Sequence, residues 1–114
     1  MKNHILEKLY ETLQDRKNAE GEKSYVASLY EGGSPKIAEK ILEEAQEFID
    51  EAFHVHNNRN SEEVQENLRS EGADLLFHFM VMLSHHNVPP SDIFEILEER
   101  FGTSGHDEKA ARVK

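Results

Sequence analysis

Two pairs of carboxylates carry the most specific chemistry in this chain. Glu44 and Glu47 are three residues apart, preceded by Glu43, and Glu71 and Asp74 repeat the spacing farther along. On a helix that interval is nearly one turn, so each pair projects from one side. Two such pairs on neighbouring helices make an all-oxygen ligand set, suited to magnesium with manganese as a substitute. Thiolate metal sites and disulfides are excluded because there is no cysteine. No H-E-x-x-H pattern offers zinc a histidine pair. For Glu44 and Glu47 the competing reading is a solvated acidic stripe paired with Lys36 and Lys40. For Asp74 it is a salt bridge to a lysine or arginine.

The elements that must position these groups are legible from periodicity. Ile5, Leu6, Leu9 and Leu13 mark a first helix from about Asn3 to Lys17. Ser24 caps a short helical turn through Leu29 that Gly32-Gly33 closes. Ser34-Pro35 then starts a long second helix running to about His56. Turning that helix by about 100° per residue gathers Ile37, Ile41, Ala45, Phe48, Ile49, Ala52, Phe53 and Val55 with Leu42 into an apolar arc of about 160°. Glu44, Glu47 and Glu51 border the arc with Lys36 and Lys40, while Glu43 turns outward.

Ser61-Glu62-Glu63 opens a third helix with acids in its first turn, where the helix dipole favours them. From Ala73 to Leu83 it reads ADLLFHFMVML, apolar on nearly every side, which predicts a central helix buried all round. Asp74 then needs a proton, a partner or a metal, since a buried unpaired carboxylate costs several kcal/mol. Asn87 to Pro90 reads as a loop, Ser91-Asp92 starts a fourth helix and Gly102 ends it. No stretch alternates as a strand would. The expectation is one all-α domain over residues 1–114, a four-helix-type bundle with a polar tail at 103–114. A single small bundle does not easily cover both broad apolar faces, so a homodimer or larger even assembly is expected.

Composition narrows the partners. In 114 residues the formal net charge is −10, which repels a nucleic-acid backbone. An acidic protein still binds a phosphorylated small molecule when a divalent cation lies between carboxylates and phosphates. Met1-Lys2-Asn3-His4 leads straight into the first amphipathic pattern, and no apolar run approaches a membrane span. The expected location is the cytoplasm.

Glu43-Glu44-Ala45-Gln46-Glu47 and Glu71-Gly72-Ala73-Asp74 resemble the E-E-x-x-E and E-x-x-D signature of the all-α nucleoside triphosphate pyrophosphohydrolases, the MazG-like superfamily. Ser24-Tyr25-Val26, Lys40, Ala73-Asp74-Leu75-Leu76 with His78, and Arg100-Phe101-Gly102 with Ser104-Gly105 and Glu108-Lys109-Ala110 are similar to one branch, the phosphoribosyl-ATP pyrophosphohydrolases of histidine biosynthesis. The likeness runs from about Ser24 to Arg112. Leu42 departs from an expected glycine and Gln46 from a usual threonine, but neither change removes a carboxylate.

The resemblance implies hydrolysis of phosphoribosyl-ATP to phosphoribosyl-AMP and pyrophosphate. It implies magnesium on Glu44, Glu47, Glu71 and Asp74, with Glu43 a candidate base. Lys40 and Lys36 lie on the Glu44 side and are placed to hold phosphate oxygens. Arg100, Ser104, Gly105 and Lys109 are candidates for the far end of the substrate. Ser24 and His78 join the candidate binding set, against plainer roles as a helix cap and a buried core histidine. The rival readings are a house-cleaning enzyme acting on dUTP or dCTP, with the same carboxylates, and a non-enzymatic helical dimerisation module.

Overall fold

The computed structural model describes residues 4–21 and 24–102. Among them the regular elements are α1 (Ile5–Asp15), a 3-10 turn (Arg16–Asn18), α2 (Tyr25–Asn57), α3 (Glu62–His85) and α4 (Pro90–Phe101). No strand occurs among the described residues, as the periodicity leads one to expect.

Local signals explain the boundaries. His4 caps α1, its Nδ1 accepting from Leu6 N at 3.1 Å. Ser24 and Ser61 cap α2 and α3, each accepting at 3.3 Å from the amide three residues on. At the end of α3, Asn87 takes the left-handed conformation with φ 60°. Val88 N donates to Leu83 O and Asn87 N to Ser84 O, closing the helix in a Schellman motif. Helix α4 begins at Pro90, one residue before the expected start, because proline fits the first helical position and lacks the amide that would go unpaired there.

Gly33 is what folds α2. Its φ of 73° and ψ of −171° break the helix between Tyr25 and Asn57 where the paired glycines predict a boundary. The two segments run opposite ways along α3. In the first, Tyr25 meets His78, Tyr30 meets Ser84 and Ser34 meets His86. In the second the chain returns, with Phe48 beside Gly72, where a Cβ would lie 3.4 Å from the ring. The two helices thus meet beside Glu71 at ordinary van der Waals distance.

The core consists of Leu13, Leu29, Ile37, Met80 and Val81, with Tyr10, Tyr30, Ile41 and Phe77 packed around it. A polar knot ties three helices at its edge. The Tyr30 hydroxyl bonds Leu13 O at 3.1 Å and Ser84 Oγ at 2.8 Å, and Gln14 Nε2 donates to Ser84 O and Oγ at 2.8 and 2.9 Å. Helix α4 packs on α1.

The expectation that α3 is buried all round needs correction for the single chain. His78, Met80, Val81 and Ser84 are buried, but Ala73, Asp74, Leu76 and Phe79 are exposed. One chain packs α3 mainly against α2 and more lightly against α1, which leaves an apolar side uncovered. Helix α2 likewise exposes Leu42 and Phe53, at 72% and 65% of their surface, and Ile49. No helix of the described residues is long and apolar enough to cross a membrane.

Candidate metal-binding active site

The α2–α3 contact brings three of the four expected ligands together. Glu44, Glu47 and Glu71 each offer a carboxylate oxygen, and these oxygens lie within 4.8 Å of one another. Glu44 and Glu47 come from one side of the returning segment of α2, and Glu71 comes from the facing turn of α3. Glu44 is only 8% exposed. Its Oε2 and that of Glu71 are buried without a hydrogen-bond partner. Buried carboxylate oxygens without a donor are costly, and a cation among them supplies the missing partner. The donor set fits a hard divalent ion.

Asp74 does not belong to this tight group and is exposed rather than buried. Its charge still acts on the group. Burial first, then a hydrogen bond and the charge of Glu47, push Glu44 above the ordinary carboxylate value, with Asp74 adding to the rise and His78 opposing it. Glu71 is raised in the same way, by burial, by Glu47, then by Asp74 and Glu44. Three acids and the nearby fourth thus repel one another in a half-dry crevice.

The other candidate residues are spread around this centre. Lys40 Nζ is 3.3 Å from Glu43 Oε1 and 4.0 Å from Glu44 Oε1, so it spans the outward and inward acids. The hydrogen bond that Lys40 donates to Glu43 raises Lys40 above its ordinary value, so its ammonium stays charged. Glu43 is exposed, as its outward angle predicts, and Lys36 is exposed one turn before Lys40. Ser24 spends its oxygen on the cap of α2. Arg100 is exposed in the last turn of α4. Ser104, Gly105 and Lys109 lie outside the described residues.

His78 is buried and doubly bonded. Its Nδ1 lies 2.8 Å from the backbone oxygen of Asp74, a pure acceptor, so this nitrogen carries a proton. Its Nε2 is 2.8 Å from the Tyr25 hydroxyl, which donates to it in the neutral ring. Tyr25 was not singled out as a site residue from the sequence; the only signal was its place in the Ser24-Tyr25-Val26 element. Glu51 is a second omission. It continues the Glu44–Glu47 stripe by one turn, buries an unpartnered Oε2 and sits 3.4 Å from His54 Nδ1.

The described elements are all helical, and they gather three carboxylates from two facing helices into a group that could hold a metal ion. The family model described as phosphoribosyl-ATP pyrophosphohydrolase matches residues 6–101. The chain belongs to that family and is a hydrolase. It is 46% identical over 114 residues to the phosphoribosyl-ATP pyrophosphatase of Hydrogenovibrio crunogenus, covering 100% of this chain and 97% of that one. It is 44% identical over 111 residues to the protein of the same name from Geobacter sulfurreducens, covering 97% and 95%. The namesake from Azospirillum brasilense is 43% identical over 108 residues, covering 95% and 90%.

Proposed function

We propose that this hydrolase cleaves phosphoribosyl-ATP to phosphoribosyl-AMP and pyrophosphate, the second step of histidine biosynthesis, in the cytoplasm. The observation that carries the reading is the cluster of Glu44, Glu47 and Glu71, with its orphaned buried oxygens, in a chain of this family. Magnesium held there, with Asp74 as a further ligand, would offset the substrate's phosphate charge and polarise the anhydride bond. A dUTPase or dCTPase would use the same acids, so the family match is what favours phosphoribosyl-ATP over them.

The chain's own residues supply the rest. Cleaving a phosphoanhydride mainly requires positioning and charge compensation where negative charge moves to the leaving oxygens. Lys40 is charged, stands beside Glu44 and can turn its ammonium from Glu43 to a phosphate oxygen. Lys36, exposed one turn earlier on α2, extends that line of positive charge. Glu43 stands outside the cluster, and once Lys40 turns from it to a phosphate it is the candidate to take the proton of the attacking water. Arg100, with Ser104, Gly105 and Lys109, serves the second ribose phosphate that distinguishes this substrate from ATP. The uncovered apolar faces of α2 and α3 close against a second copy, making the working unit a homodimer.

The test is pyrophosphate release from phosphoribosyl-ATP, ATP, dUTP and dCTP under one set of magnesium-containing conditions. Fastest turnover of phosphoribosyl-ATP is expected. Preference for dUTP or dCTP would overturn the substrate and leave the metal site standing.

A further inference from the structure

A cleft of about 380 Å³ opens between α1 and the first segment of α2, lined by Leu9, Leu13, Arg16, Tyr25, Val26 and Phe77 together with two hydroxyl residues, Thr12 and Ser24. Its volume falls in the range of small-molecule sites, and its walls are mostly apolar with a few polar groups and one cation, Arg16. It is linked toward the carboxylate cluster through Tyr25, His78 and Asp74, the last of which lies beside the cluster rather than in it. Tyr25 lines the cleft and hydrogen-bonds His78, whose other nitrogen is tied to the backbone of Asp74. Tyr25 as a residue is 52% exposed although its hydroxyl is anchored. A half-exposed tyrosine pinned at its tip offers a flat, pre-oriented surface, and holding it so costs little further side-chain entropy when a ligand arrives.

We propose that this cleft receives the purine base of the nucleotide, with the Tyr25 ring as its stacking wall and His78 as the positioning residue that fixes that wall. The assignment rests on the nucleotide reading given above and adds the place of the base to it. A purine matches the observations better than an aliphatic ligand would. It has flat apolar faces for Tyr25, Phe77 and Val26, edge atoms that hydrogen-bond hydroxyls such as those of Thr12 and Ser24, and phosphates that suit a neighbouring cation. The phosphates of the same molecule then extend toward Lys40, whose Nζ lies 4.0 Å from Glu44 Oε1.

The test compares direct calorimetric binding of AMP and of magnesium pyrophosphate to the full chain, as wild type, Tyr25→Phe and Tyr25→Ala. AMP carries the base, and pyrophosphate needs only the metal and cationic side. Tyr25→Ala is expected to weaken AMP about tenfold, near the lower end of what one base–aromatic stack contributes, and to leave pyrophosphate within about twofold. Tyr25→Phe keeps the ring and loses its anchor, so its AMP affinity should fall between the other two. Equal weakening of both ligands would mean general damage to the site, and unchanged AMP binding would mean the base lies elsewhere. Either result overturns the proposal. Because binding is read without turnover, a failed base pocket stays distinguishable from a wrong substrate.

Discussion

A carboxylate oxygen of Glu44 lies within 4.8 Å of one from Glu71, across the contact between α2 and α3. Helices do not gain stability from facing acids in a crevice, and the orphaned Oε2 atoms of both residues show that neither is satisfied by the protein among the described residues. Glu44→Gln and Glu71→Gln should therefore each lower magnesium-dependent turnover by on the order of 100-fold or more, since groups merely supporting a metal site already matter by 10–100-fold. The metal-free variants should be as helical and at least as stable as wild type, because a repelling charge is gone. Near wild-type turnover of Glu44→Gln at limiting magnesium would remove the cluster from the mechanism. Asp74→Asn tests the outer ligand separately and should also lose most turnover.

The raised pKa values of Glu44 and Glu71 have a definite sign. Both sit above the ordinary value of 4.5, chiefly through burial. The folded protein thus holds these protons more tightly than the unfolded chain. Their contribution to stability is complete below the ordinary carboxylate value and is lost as pH rises through the raised values. The metal-free melting temperature of wild type, measured relative to Glu44→Gln, should accordingly fall as pH rises above the ordinary carboxylate value. Magnesium, which displaces those protons, should reduce the fall and bind more tightly as pH rises. A wild-type melting temperature that gained on Glu44→Gln with rising pH, without metal, would contradict the burial-driven shift.

Much of this was legible in the sequence because it is local. The caps at Ser24 and Ser61, the break at Gly33 and the spacing of Glu44 with Glu47 all follow from 3.6-residue periodicity and short-range chemistry. The antiparallel return of α2 along α3 then aligned Glu71 with them. What escaped depends on relations across the fold. Tyr25 and His78 are far apart in sequence, and nothing in either stretch announces a 2.8 Å hydrogen bond between them. Asp74 was expected to be buried because its helix is so apolar, yet burial depends on what covers a face, and one chain leaves this side open.

That open side leads to the assembly. Leu42, Ile49 and Phe53 share a face of α2, and Leu76 and Phe79 stand one turn apart on α3; all five are exposed. Scattered apolar residues on a surface are ordinary, whereas rows of them on the two main helices support the proposed homodimer interface. Wild type should sediment as a dimer at micromolar concentration. Phe53→Glu and Phe79→Glu should each shift it toward monomer and lower its melting temperature, because burying an unpaired charge opposes association. A folded, stable wild-type monomer at that concentration would leave these faces unexplained.

The substrate's second phosphate is the remaining difference between phosphoribosyl-ATP and ATP. The carboxylate cluster treats all triphosphates alike, so this distant anion needs a cation of its own. Arg100 sits exposed in the last turn of α4, a helix packed on α1 rather than built into the α2–α3 pair that carries the acids. Arginine grips phosphate through two parallel hydrogen bonds, and each charge-assisted bond contributes more than a neutral one. Arg100→Ala should reduce kcat/KM for phosphoribosyl-ATP by roughly tenfold or more, consistent with about 1.5–3 kcal/mol for a hydrogen bond to a charged group. Residual turnover of ATP and the affinity for magnesium should stay within about twofold, because neither involves that phosphate. Equal losses on phosphoribosyl-ATP and ATP would show that Arg100 supports the fold or the shared triphosphate site, and the cation for the second phosphate would have to be sought on another element.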